Sequence, residues 1–136
     1  RDPRNSEIVS ALDLLSSKNI DVYVCGQVLI EYWVSATRPQ EANGFGINID
    51  EADANITDIM IMFNYLPEPS DVIEYWRKLV KKYSVSGKQV HDTRIAAFML
   101  SYGIKNILTL NPDDFIRYKE INPITPQELL NDLNVF

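Results

Sequence analysis

Residues 86–115, SGKQVHDTRIAAFMLSYGIKNILTLNPDDF, decide how the chain folds. Within them Lys88–Tyr102 reads as a helix, because Ile95, Ala96, Met99 and Leu100 recur at the spacing of one helical face. Gly103 is suited to the left-handed residue that commonly ends a helix. Asn106–Thr109 is a short apolar strand, broken by Asn111-Pro112. A helix that turns back into a strand brings the start of the first to the end of the second. Asp92 and the trio Asn111, Asp113 and Asp114 are therefore expected at one edge of a sheet.

Upstream, residues 5–17 place Ile8, Leu12 and Leu15 on one face of an amphipathic helix that Asn5 or Ser6 can cap and Asn19 ends. Asp21–Cys25 is a β-branched strand, and Gly26-Gln27 leads into a helix over Val28–Thr37 whose apolar run contains Glu31. Arg38-Pro39 stops that helix. The glycine-bearing loop over Asn43–Gly46 reads as a mobile flap. Asp50 is the expected cap of the next helix, through Phe63, and Tyr65–Pro67 is a brief edge piece. Ser70 is expected to cap a helix that buries Val72, Ile73, Trp76, Leu79, Val80 and Tyr83 and turns Arg77, Lys78, Lys81 and Lys82 outward, a face read as solvated surface. Downstream, Ile121–Ile124 is a last strand and Thr125-Pro126 opens a short helix.

Strands alternating with helices of this length predict an α/β fold, with a mainly parallel central sheet flanked by helices. Ligands in such folds bind beyond the carboxyl ends of the strands. Right-handed crossovers bring Glu31, Asp92, and the Asn111–Asp114 turn to that edge.

Composition narrows the partners. The 136 residues carry 19 acidic and 13 basic side chains, a net charge of −6, so no global field draws nucleic acid. Any such role rests on a local basic rim or on bound cations. The single cysteine excludes an intrachain disulfide or a cysteine zinc cluster, and no apolar run approaches the ~18–20 residues of a membrane span. With no secretory signal in view, the expected location is cytoplasmic.

Crowded carboxylates repel one another unless a cation neutralises them, and oxygen donors without His or Cys favour Mg²⁺ or Mn²⁺. Each acid has a plainer reading beside this one. Asp92 serves equally as a first-turn partner of the helix dipole. Only one of Asp113 and Asp114 is expected to face inward. Glu31 is the least expected acid, since an unpaired carboxylate on an apolar face is costly to bury. Asn111 is an ordinary turn residue or an orienting amide, and Thr109 is strand filler or a hydroxyl donor to a metal-bound water. The lone histidine, His91, reads as structural. Phosphate-cradling glycine loops, a serine elbow and zinc spacings are all missing from the sequence.

Together QVLIEYW (27–33), ATRP (36–39), QVHDTRIAA (89–97), and ILTLNPDDF (107–115) with Tyr118 resemble the PIN domain, in particular single-domain bacterial proteins of the VapC toxin type. The resemblance covers essentially the whole chain, read as one domain over 1–136. It implies a Rossmann-like three-layer α/β sandwich and Mg²⁺- or Mn²⁺-dependent cleavage of RNA. It also implies a small antitoxin as partner, and homodimers. Position by position, the family's metal-holding acids fall on Glu31, Asp92 and Asp114, with Thr109 and Asn111 supporting them. Arg38 and Lys88 are candidate contacts for substrate phosphates.

The family opens with an apolar strand ending in an Asp-Thr-Asn-like motif, whose Asp is a central ligand. This sequence begins Arg1-Asp2-Pro3-Arg4, and Asp2, with no strand before it, does not take that place. The expectation is of an N-terminally shortened version of a longer product, with little or no activity as it stands. A complete chain would instead have its sheet split or finished by another chain. The competing reading is a PIN scaffold that does not cut and acts by binding protein or RNA.

Overall fold

The computed structural model describes residues 4–132, with side chains from Glu7 onward, so Asp2 and the Asn5 and Ser6 cap side chains lie outside the described residues. Two compact units make up the chain. One spans Asp21–Glu68, and the other joins the residues up to Ile20 to those from Pro69 onward.

In the discontinuous unit, α1 (Arg4–Ser17) packs against α6 (Pro126–Asn131). Ala11 and Leu15 of α1 and Leu129 of α6 are buried. Asn19, at φ 57°, ends α1 as expected, and the Ile20 amide closes the turn onto the Leu15 carbonyl at 3.0 Å. Thr125 starts α6 with a full capping box: its hydroxyl accepts from the Glu128 amide at 3.1 Å, and its own amide donates to the Glu128 carboxylate at 3.2 Å.

Helix α4 (Val72–Lys82) packs against α5 (Val90–Tyr102). Every residue of α5 from Ile95 to Met99 is buried, a wider burial than the expected single face. A helix apolar on all sides belongs in a core. In α4, Val72 and Leu79 are buried, Trp76 is half-buried and donates its indole N–H to the Val90 carbonyl at 2.9 Å, and Ile73 points outward. The expected Ser70 cap is replaced by Asp71, without a side-chain capping bond. Gly103 ends α5 at φ 72°. Strands β3 (Asn106–Leu108) and β4 (Asn122–Ile124) then pair in parallel, Asn106 opposite Asn122 and Leu108 opposite Ile124.

In the Asp21–Glu68 unit, β1 (Tyr23–Val24) pairs in parallel with β2 (Asn64–Tyr65), and α2 (Gly26–Thr37) packs on α3 (Ile49–Met62). The Asn55 amide donates to the Tyr32 hydroxyl at 2.7 Å, joining the two helices. Asn48 caps α3, accepting from the Glu51 amide at 2.8 Å, so the expected cap Asp50 lies inside the helix. The loop after α2, read from the sequence as a mobile flap, is a hydrogen-bonded turn. Phe45, Gly46 and Ile47 donate their amides to the carbonyls of Ser35, Arg38 and Ala36 at 2.9–3.0 Å. Gly44 is required there, because a Cβ would stand 2.0 Å from the Arg38 carbonyl oxygen.

The strands are parallel and alternate with helices, as the sequence pattern implies. They are two or three residues long and pair only two by two among the described residues, where a single central sheet was expected.

The capping box gives a direct test of local stability. Thr125→Ala is expected to lower the unfolding free energy by about 1 kcal/mol while Thr125→Ser stays near wild type, both read from urea midpoints. Equal midpoints for the two variants would contradict the assigned cap.

Candidate functional site

Helix α5 is entered through a 3-10 turn over Gly87–Gln89, which leaves Lys88 exposed. Asp92 is half-buried in the first turn of α5, where the positive end of the helix dipole favours a carboxylate, and His91 beside it is exposed. Beyond β3 the chain turns sharply. The Thr109 amide donates to Ile124, which extends the strand pairing, and its hydroxyl accepts from the Asn111 amide at 3.0 Å. Pro112–Asp114 forms a 3-10 turn, with the Asp114 amide on the Asn111 carbonyl at 3.1 Å. Both Asp113 and Asp114 are exposed, so exposure does not single out one as facing inward. The Thr109 hydroxyl shapes the turn that presents Asn111 and Asp114.

Two adjacent side chains tie the segment after Asp114 to the start of α5. Arg117 donates to the Gln89 side-chain oxygen at 2.5 Å. The Tyr118 hydroxyl meets the Thr93 hydroxyl at 2.5 Å, and both residues are buried. Thr93 in turn donates to the Gln89 carbonyl at 3.2 Å. Thr93 and Arg117 are absent from the sequence-derived site, and Tyr118 enters there only through the family resemblance. The available signal was Thr93 itself, a hydroxyl on the same helical stripe as Ala96, Ala97 and Leu100.

The remaining assigned residues, Glu31 and Arg38, belong to the Asp21–Glu68 unit. Glu31 is exposed on α2 and accepts from the Gln27 side-chain amide at 3.2 Å. Its carboxylate is thus solvated, which removes the burial-cost ground for giving it a role. Arg38 is exposed at the end of α2. Nearby Cys25 is buried, and desolvation, assisted by the Glu31 charge, pushes its thiol above the ordinary range against opposing backbone hydrogen bonds. A protonated, shielded thiol is a poor nucleophile.

The chemistry of the donors suits a hard cation: carboxylates at Asp92 and Asp114, a hydroxyl at Thr109, and an amide at Asn111. Their number falls short of a closed cage, since among the described residues no three of His, Cys, Asp and Glu gather into a group that could hold a metal ion. Magnesium commonly takes only one or two protein carboxylates and completes its shell with water and substrate phosphate. The residues present fit such an open site in kind and leave most of the shell to other donors.

A family model described as the PIN domain matches residues 2–121. No curated protein matches the chain. No helix among the described residues is long and apolar enough to cross a membrane.

The segment behind the Asp114 turn also carries a charge pair with a pH signature. Partial burial pushes the Glu120 carboxyl up, but the Lys82 ammonium, 2.7 Å away, and the Tyr83 hydroxyl together outweigh it and hold the group below its usual range. The Glu120 carboxylate in turn raises Lys82. A lowered carboxyl stabilises the fold above its unfolded pKa and loses that contribution as pH falls through its folded value. A raised lysine contributes fully below its unfolded pKa and loses its share as pH rises through its folded value. The thermal-midpoint gap between wild type and Glu120→Gln should therefore be widest near neutral pH and close in acid. A gap constant from neutral to acid pH would contradict the pairing.

Proposed function

The chain belongs to the PIN domain family, whose members are generally nucleases that use divalent metal ions, and we propose that it is a Mg²⁺- or Mn²⁺-dependent ribonuclease hydrolysing RNA phosphodiester bonds. The observation that carries this reading is the pairing of that family match with a structural tie. The start of α5, with Asp92, is hydrogen-bonded through Gln89 and Thr93 to the segment that follows Asp114. Acids far apart in sequence are thereby held on connected segments.

In this reading Asp92 and Asp114 hold the cation, and the resemblance adds Glu31 to them. Asn111 and Thr109 orient that shell. A bound divalent ion would lower the pKa of an attacking water and neutralise charge developing on the phosphate. Twelve of the thirteen basic residues lie outside the Asp21–Glu68 segment, which contains only Arg38 against eight acids. Phosphate contact is thus assigned chiefly to the discontinuous unit, where Lys88 is exposed near the start of α5, with Arg38 as the other candidate. The three-layer sandwich, the toxin role with a small antitoxin, the homodimer and a cytoplasmic location are the finer parts of the proposal, and they rest on the sequence resemblance.

One observation favours a second reading. The missing group of three potential ligands among the described residues suits a PIN scaffold that binds RNA or protein without cutting.

Cleavage of a labelled RNA separates the two. The protein at its natural length is expected to cut with Mn²⁺ or Mg²⁺ and to stop in EDTA. Asp92→Asn is expected to lose at least about 100-fold in rate while keeping the wild-type circular dichroism spectrum and melting cooperatively. RNA binding without cleavage at any metal concentration would select the scaffold, and undiminished cleavage in EDTA would sink the metal-dependent mechanism.

A further inference from the structure

Four consecutive residues beyond Asp114 are held by two parts of the same unit, the start of α5 and the end of α4. Arg117 bonds Gln89, and Tyr118 bonds Thr93. The Lys119 amide donates to the Tyr83 hydroxyl at 3.1 Å, and Glu120 accepts from Lys82 and from Tyr83. The Tyr83 and Tyr118 rings meet edge to face, with centroids 5.4 Å apart.

The Tyr118–Thr93 pair stands apart from the others. Thr93 is fully buried and Tyr118 is 1% exposed, so neither hydroxyl has water to fall back on. The Thr93 hydroxyl commits its hydrogen to the Gln89 carbonyl, so the Tyr118 O–H donates to Thr93. The result is a two-step chain from Tyr118 through Thr93 to the Gln89 carbonyl. Filling this space does not require hydroxyls, because a Phe and a Val would pack in similar volumes, and replacing both members of a polar pair by apolar groups is often near neutral for stability. What the hydroxyls add is direction: only one register of the 115–121 segment against α5 satisfies both. Asp92 immediately precedes Thr93, and Asp114 lies four residues before Tyr118.

Resting on the nuclease reading, we infer that Tyr118 is a positioning residue. Through Thr93 and the Gln89 carbonyl it fixes the main chain that carries Asp114 against the helix start that carries Asp92. It touches neither substrate nor ion, and acts on how well the two carboxylates are preset to share a cation.

The test compares Tyr118→Phe, Thr93→Val and Thr93→Ser in the protein at its natural length. Three quantities are read: Mn²⁺ affinity without RNA by calorimetry, the Mn²⁺ concentration for half-maximal RNA cleavage, and the thermal midpoint. Tyr118→Phe and Thr93→Val are expected to weaken Mn²⁺ binding and raise the half-maximal concentration by about 10-fold, the scale seen when a residue supporting a metal ligand is lost. The cleavage rate at saturating Mn²⁺ is expected to stay within about 3-fold of wild type. Combining the two changes should add little, since both break one chain, and Thr93→Ser should match wild type. Leu129→Ala, in the buried face of α6, is the control: it should lower the midpoint without moving Mn²⁺ affinity. Unchanged Mn²⁺ affinity in both Tyr118→Phe and Thr93→Val, beside a wild type that binds and cleaves, would overturn the inference alone. A wild type that neither binds Mn²⁺ nor cleaves would overturn the nuclease reading and this inference with it.

Discussion

Helix α5 exposes no residue between Ile95 and Met99, and that burial constrains what surrounds it. A polar side chain buried at the start of such a helix, ahead of that stretch, needs a partner inside the protein. Thr93 is the fully buried polar side chain among the described residues, and its hydroxyl is answered by Tyr118 on one side and the Gln89 carbonyl on the other. The Trp76 indole holds the Val90 carbonyl one turn earlier. The start of α5 is thus gripped from α4 and from the segment before β4.

Much of this was legible in the sequence because it follows from local chemistry. The helix expected over Lys88–Tyr102, which begins at Val90 after a 3-10 turn, the Gly103 stop, the Asn106 strand and the Thr125 start all depend on spacing and on residues with strong conformational preferences, and all are present. Errors gathered where two similar residues compete or where contacts are long-range. Asn48 rather than Asp50 caps α3, because both are good caps and the difference is which peptide ends the extended chain. The loop after α2 contains two glycines, which suggest freedom. Here Gly44 lets the backbone approach Arg38, and three amides pin the turn. Glu31 sits among apolar neighbours in sequence, yet α2 exposes Ile30 and Val34 as well, so apolar context did not mean burial. The Tyr118–Thr93 bond joins residues 25 apart in sequence and leaves no periodic trace.

The distribution of charge bears on how an acidic protein would meet RNA. Residues 21–68 are strongly acidic, and the basic residues of α4, with Lys88, Arg94, Lys105, Arg117 and Lys119, lie in the other unit. A polyanion is repelled by the first, whereas the second, with twelve bases against eleven acids, is close to neutral. Asp92 and Asp114 therefore lie in the less acidic of the two units. A cation shared between them would remove the repulsion that their own charges create.

Whether Asp92 and Asp114 share a cation is decided by Mn²⁺ titration of the ¹⁵N-labelled protein followed by NMR. Paramagnetic broadening falls steeply with distance from the ion. The amides of Asp92, Thr93, Asn111 and Asp114 are expected to broaden first and together, while those at the α1–α6 contact remain sharp. Broadening that begins instead at the acid-rich start of α3, or spreads evenly over the surface acids, would contradict it.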